Sequence, residues 1–277
     1  MSQPTSPNSS APPQPIPLSP YESLTIHLKS LKLSHMLQHW QRLEQQAIQE
    51  HWSYAQFLLA LSELEATRRY QARIQRAISE SQLPHGKALS NFEFAHCPSL
   101  NPASVMALAQ DMSWINQGGN CLIFGPSGTG KTHLASGVAR ATVELGKRVK
   151  FFSATALVQI LQQAKLNLNL PGMLGKLDRY DLLVVDDLGY VKKSEAETSV
   201  LFELIAHRYE RKSLMITANQ PFRDWASIFA DSMMTVAAID RLVHHAVILE
   251  IQAESYRQQA ALKQAQAMIS AGVDIID

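Results

Sequence analysis

The sequence predicts an α/β protein, a five-stranded parallel sheet flanked by helices, preceded by a small all-helical domain. Three observations carry this. From Asn120 onward, short apolar runs alternate with helix-permissive stretches, the pattern of a parallel sheet covered on both faces. The first run, Cys121–Phe124, leads into Gly125-Pro126-Ser127-Gly128-Thr129-Gly130-Lys131-Thr132 and then a helix. That strand–loop–helix context is what a phosphate-binding loop requires. Residues 21–84, by contrast, read as helix throughout.

The chain, 277 residues long, can hold one medium domain and a smaller one. Its 46% hydrophobic and 18% charged residues are those of a globular protein. A net charge of +1 supplies no global basic field, so nucleic-acid contact must come from a local patch. No apolar run approaches a membrane span, and the N-terminus lacks the basic-then-apolar order of a secretory signal. Cys121 falls in a strand and is expected as a buried free thiol, which suits a reducing cytoplasm.

In chain order, residues 1–20 hold seven of the thirteen prolines and are expected as a disordered tail. Three helices follow over 21–84. Leu24, Leu28 and Leu31 share a face, as do Met36, Trp40, Leu43 and Ala47. Ser53 with Gln56 reads as a capping box, followed by a stripe of Tyr54, Phe57, Leu58, Leu61 and Leu64. The last helix then turns basic with Arg68, Arg69, Arg73 and Arg76, beside Tyr70. Two readings stand: a grip on DNA phosphates, or a solvated helix end whose cations complement its dipole. Residues 85–119 are a joining segment, with Phe92 and Phe94 alternating as in an extended piece. Asn101-Pro102 reads as a helix start running to about Asp111. Strands are expected at 121–124, 149–153, 182–186, 213–217 and 247–251. The helices fall near 131–145, 155–168, 171–179, 195–211, 222–228 and 231–245. The α/β domain spans 120–260, and 261–277 form a C-terminal tail.

The chemistry sits at the ends of these strands. Glycines in Gly125–Thr132 let backbone N–H groups turn around an anion, and the next helix points its positive end at the same place. Lys131 is placed to reach the β- and γ-phosphates of a nucleoside triphosphate, and the Thr132 hydroxyl to ligate Mg²⁺. Asp181-Leu-Leu-Val-Val-Asp186-Asp187 is a buried strand ending in paired carboxylates, about fifty residues after the loop. Asp186 is the Mg²⁺-side candidate, and Asp187 the group that orients or deprotonates an attacking water. Thr217-Ala218-Asn219 ends the next strand. Asn219 is either a reporter of the γ-phosphate or a turn residue before Pro221. Arg241, at the end of the last helix, is either an arginine finger for a neighbouring subunit or a partner of Asp240. His244-His245 invite a metal reading, against which stands the absence of a Cys or carboxylate at ligand spacing. Arg257 follows the last strand as a candidate phosphate contact within the same subunit.

With these pieces in order, the chain resembles the AAA+ ATPases. Among them it is similar to the IstB-like transposition helpers, relatives of the DnaC-type helicase loaders. The likeness rests on Gly125–Thr132, Leu182–Asp187 with Leu188-Gly189-Tyr190, Thr217-Ala218-Asn219, Ile239–His245 and Glu254-Ser255-Tyr256-Arg257. The helical part adds Leu31-Lys32-Leu33, Ser53-Tyr54 and Phe57-Leu58. The resemblance implies a cytoplasmic, Mg²⁺-dependent ATPase of a bacterial mobile element that assembles on double-stranded DNA and recruits a partner transposase. It also implies a homo-oligomeric ring or helix with ATP between subunits, and the loop strand in the sheet's centre. Helicase loading and a non-hydrolysing ATP-gated scaffold are the alternatives. Asp187 stands where many AAA+ enzymes have Glu, which implies slow turnover, and too few residues follow 251 for a full helical lid.

Overall fold

The structure, a computed structural model, describes residues 19–188, 194–221, 225 and 232–256. Most of the expected tails, the 222–228 helix apart from Trp225, Gly189-Tyr190 and Arg257 lie outside the described residues. Contacts divide the chain into two compact units, Met1–Arg73 and Ile74–Asp277. The division falls inside the third helix, earlier than the expected 84/85 boundary, because Ala77, Ile78 and Leu83 already pack with the second unit's core.

In the first unit, helix α1 (Pro20–Ser30) starts at Ser19, which forms a capping box with Glu22. Helix α2 (Ser34–Gln49) and the start of helix α3 (Tyr54–Ser81) complete the bundle. Leu28, Trp40, Leu43 and Leu61 form its core, with Met36, Phe57 and Leu64 packed against them. The expected apolar faces are wider than the real ones. Leu24, Leu31, Tyr54 and Leu58 are exposed. On α3, Phe57, Leu61 and Leu64 lie within about 60° of one another at about 100° per residue, Leu58 falls outside that arc, and Tyr54 is the first residue of the helix. The Ser53–Gln56 box forms as expected, Ser53 N–H donating to Gln56 Oε1 at 2.7 Å.

Leu33 cannot cap α2 with a side chain, so Glu65 does it from α3. Its Oε2 accepts from the His35 and Met36 amides at 2.9 and 3.3 Å. Arg69 Nε donates to its other oxygen at 2.8 Å and Arg69 Nη2 to the Lys32 carbonyl at 3.0 Å. Burial works against the Glu65 charge, but these bonds hold its carboxyl below the ordinary glutamate range.

The second unit is a five-stranded parallel sheet of order β2-β3-β4-β1-β5. Before it come helix α4 (Pro102–Gln110), whose first turn is capped by Asn101 as expected, and a short helix α5 (Ser113–Asn116). The alternation then runs β1 (Asn120–Phe124), α6 (Lys131–Glu144), β2 (Val149–Ser153), α7 (Ala154–Leu166), α8 (Leu170–Leu177), β3 (Leu182–Leu188) and α9 (Glu195–Arg208). It ends with β4 (Ser213–Ala218), α10 (Ser232–Val243) and β5 (Ala246–Glu250). The loop strand β1 is interior but off-centre, lying between β4 and β5. Strand alternation splits the core in two. Leu122, Leu183, Val185, Leu214 and Ile216 face α7 to α10. Cys121, Ile123, Leu182, Val184 and Met215 face α4 to α6. Burial pushes the Cys121 thiol up to about 12, so it stays protonated.

Arg208, fully buried at the end of α9, sets the start of the two central strands. Its guanidinium donates to the carbonyls of Leu177, Tyr180 and Ser213 at 3.1, 3.0 and 3.0 Å. Burial draws it down to about 10 against the pull of Asp178 and Asp181, which still leaves it charged at neutral pH.

Candidate functional site

The carboxyl ends of β1, β3 and β4 meet at the glycine-rich loop, where ligands bind in open parallel sheets. The loop adopts the backbone that its glycines allow. Gly128 and Gly130 have φ of 83° and 94°, and Gly130 is the residue from which α6 starts, with no side chain capping it. The first amides of α6 therefore face the loop's interior with the helix dipole behind them. Lys131 is buried, its Nζ donating to the Pro126 carbonyl at 2.7 Å, which keeps the ammonium within the curve of the loop.

Asp186 joins the loop to the sheet. Its Oδ2 accepts from Thr132 Oγ1 at 3.0 Å and its Oδ1 from Thr217 Oγ1 at 2.6 Å. Thr217 Oγ1 accepts in turn from the Asp187 amide at 2.9 Å. Asp187 sits at φ 67°, beside the irregularity in β3–β4 pairing between Val185 and Leu188. That left-handed turn carries its carboxylate into the cleft, where Asn219 Nδ2 lies 3.5 Å from Oδ1. Thr132, Asp186, Asp187 and Asn219 are thus one connected group. Thr217, passed over in the sequence except as part of a motif, is its hub. The hydroxyl and carboxylate oxygens of Thr132 and Asp186 are hard donors that suit Mg²⁺.

The cleft has a volume of about 340 Å³, within the range of small-ligand sites. One wall is the joining segment. Phe92 and Phe94 are not an extended strip; Phe92 ends one short 3₁₀ turn, Leu89–Asn91, and Phe94 begins another, Phe94–His96. Their rings meet edge to face at 4.8 Å, and Phe92 also meets the His133 ring. Lys87, Asn91, Phe92, Glu93 and His96 from this segment line the cleft together with the loop. A Cβ on Gly130 would stand 3.1 Å from the Phe92 ring, so the segment lies directly on the loop.

Arg241 is not part of this group. Asn120 Nδ2 donates to the carbonyls of Arg241 and Leu242, which places Arg241 at the start of β1. One strand length, ~16 Å at 3.3 Å per residue, separates it from the loop. Its Nη1 donates to the Ala237 carbonyl at 2.8 Å and its guanidinium lies 5.4 Å from the Phe202 ring centre. Among the basic residues of α3, Arg69 is engaged by Glu65, and Arg73 lies 5.3 Å from the Tyr70 ring centre. At the other end of the chain, the argument against a metal at His244-His245 needs correction. Glu210, distant in sequence, brings a carboxylate beside both rings.

The sequence model of the IstB-like ATP binding proteins matches residues 26–264. The chain belongs to this family. A protein of Sinorhizobium fredii named as an insertion sequence ATP-binding protein is 50% identical to this IstB-like chain over 240 residues, covering 87% of this chain and 80% of that one. The ATP-binding protein of insertion sequence IS21 from Pseudomonas aeruginosa is 33% identical over 234 residues, 84% and 88% of the two chains. The fold is that of the DnaC helicase loader, with a TM-score of 0.52 and 21% identity over 61% of this chain and 98% of that one. AMPPCP-bound DnaA from Aquifex aeolicus has it too, with a TM-score of 0.51 and 19% identity over 67% and 56%. These likenesses show the fold that the IstB-like chain shares with them, a parallel sheet covered by helices. No helix among its described residues is long and apolar enough to cross a membrane.

Proposed function

We propose that this IstB-like protein is a Mg²⁺-dependent ATPase that assembles on double-stranded DNA in the bacterial cytoplasm and recruits the transposase of its insertion sequence. The observation that carries the reading is the connected group of Thr132, Asp186, Thr217, Asp187 and Asn219 at the mouth of the phosphate loop. The curated relatives add the insertion-sequence context.

In this reading the α6 amides and Lys131 bind the phosphates of ATP. Thr132 and Asp186 hold Mg²⁺, which supplies charge neutralisation at the β- and γ-phosphates. Asp187 accepts a hydrogen bond from the attacking water and takes its proton, while Asn219 keeps the Asp187 carboxylate aimed. Aspartate reaches one methylene less far than glutamate, so turnover is slow. Arg241 is too far from its own loop and acts on the ATP of a neighbouring subunit, leaving Phe202 and the Ala237 carbonyl to do so. Arg68, Arg73 and Arg76 contact DNA phosphates, whereas Arg69 holds the helical bundle together. Contacts of this kind give binding that tolerates many sequences and falls steeply with salt. Arg257 adds a phosphate contact in the same subunit.

The test is particle size on duplex DNA with ATP, ADP or no nucleotide, for wild type and Arg241→Ala. A large species that needs ATP and is lost in Arg241→Ala supports the reading. A monomer on DNA under every condition overturns the shared site. An absence of ATP turnover in the wild type, with DNA assembly and nucleotide release unchanged in Asp187→Asn, would instead make the protein an ATP-gated scaffold.

A further inference from the structure

We propose a transition-metal site, formed by Glu210, His244 and His245, at the amino-terminal end of the sheet, opposite the phosphate loop. One ligand atom from each residue lies within 4.8 Å of the others. The residues come from two turns, α9–β4 and α10–β5, whose strands are not neighbours, since β1 runs between them. Side chains two strands apart are ordinarily ~9–10 Å from one another. They meet here because the turn entering β1 is Gly118-Gly119. A Cβ on Gly118 would stand 2.7 Å from the Glu210 carbonyl carbon, and one on Gly119 2.8 Å from the His245 carbonyl oxygen. With no side chains between them, the two outer turns close over the middle one.

The two histidines would point apart on an extended chain. His245 instead has φ 59° just past the end of α10, which turns both rings the same way, with centres 3.9 Å apart. Glu210 Oε1 is 3.5 Å from His244 Nδ1. Tyr209 Oη lies 2.8 Å from the same nitrogen and would yield that place to an ion held there. The negative end of the α10 dipole also favours a cation here. All three ligands are exposed, so an ion can enter from solvent and water can complete its shell. Two imidazoles, a carboxylate and water are the donor set of many Zn²⁺ sites. The ion would tie the end of α10, one turn beyond Arg241, to the turn that starts β4.

The test is equilibrium dialysis of Zn²⁺ alone against the untagged full-length chain, with thermal melting as a second readout. His245→Asn keeps a residue that tolerates a positive φ, and Glu210→Gln keeps shape while removing charge. Expected for the wild type is one Zn²⁺ per chain bound at micromolar concentration, with a rise in melting temperature. Both variants should weaken binding at least tenfold and lose the rise, while melting like the wild type without metal. Binding that neither variant weakens would place the ion elsewhere, for example at Thr132 and Asp186, and overturn the proposal. No binding below millimolar Zn²⁺ would overturn it as well.

Discussion

Replacing Thr217 with valine preserves shape while removing the hydroxyl that joins the two acidic residues of β3. Thr217 is buried, donates to Asp186 at 2.6 Å and accepts from the Asp187 amide at 2.9 Å. Loss of a hydrogen bond to a charged group costs about 1.5–3 kcal/mol, and a buried amide left unsatisfied about 1–3 kcal/mol. The two share one atom and will not add fully, so Thr217→Val should destabilise the protein by about 2–4 kcal/mol. Thr217→Ser keeps both bonds and loses one methyl, at about 1 kcal/mol. Urea denaturation of the two variants reads the difference directly. ATP turnover should follow the same order, because freeing the Asp187 amide frees the left-handed turn that aims its carboxylate. If valine lies within 0.5 kcal/mol of wild type, or serine proves as costly as valine, the hydroxyl is not the hub and the reasoning fails.

Two further expectations concern the loop and the helical bundle. Gly130→Ala forces a Cβ onto a backbone at φ 94°, strain of about 1–3 kcal/mol, and pushes it against Phe92. Titration with a fluorescent ATP analogue should show at least tenfold weaker binding, and adding Phe92→Ala should not restore it, since the strain lies in the backbone. Glu65 has a lowered pKa, so its contribution is complete above the unfolded glutamate value of about 4.3 and fades as pH falls through the folded value. Glu65→Gln should therefore speed hydrogen exchange across residues 34–49 relative to wild type at pH 7. The gap between the two, compared at equal pH, should close in acid; a gap that persists there would show that charge is not what Glu65 contributes.

What the sequence made legible was what lies close together along it. Gly125–Thr132 announces itself because every group it needs is consecutive. The run Leu182–Asp187 does so because a buried strand must end where polarity returns. The features that stayed hidden depend on distant partners. Nothing near Glu65 shows that it caps a helix beginning thirty residues earlier. Thr217 looked like one more strand residue until β3 and β4 were paired in register. The basic end of α3 kept two readings in sequence, and Arg69 now has bundle partners that its local spacing could not reveal. A trace of the covering wall was available in Gly137, a small residue inside a helix, which often marks close approach by another backbone.

That residue also bears on how the cleft could vary among related chains. A Cβ on Gly137 would meet Leu89 at 2.8–2.9 Å, including its backbone nitrogen. Together with Phe92 against Gly130, this seats the covering segment on α6 at two points about two helical turns apart. The two glycines act as shims of zero thickness. Alanine at position 137 would lift the segment and open its side of the cleft while every phosphate-facing group stayed where it is. Width and chemistry are therefore separate dials on this protein, and drift at one apolar contact would change the width of the cleft without touching Lys131, Asp186 or Asp187.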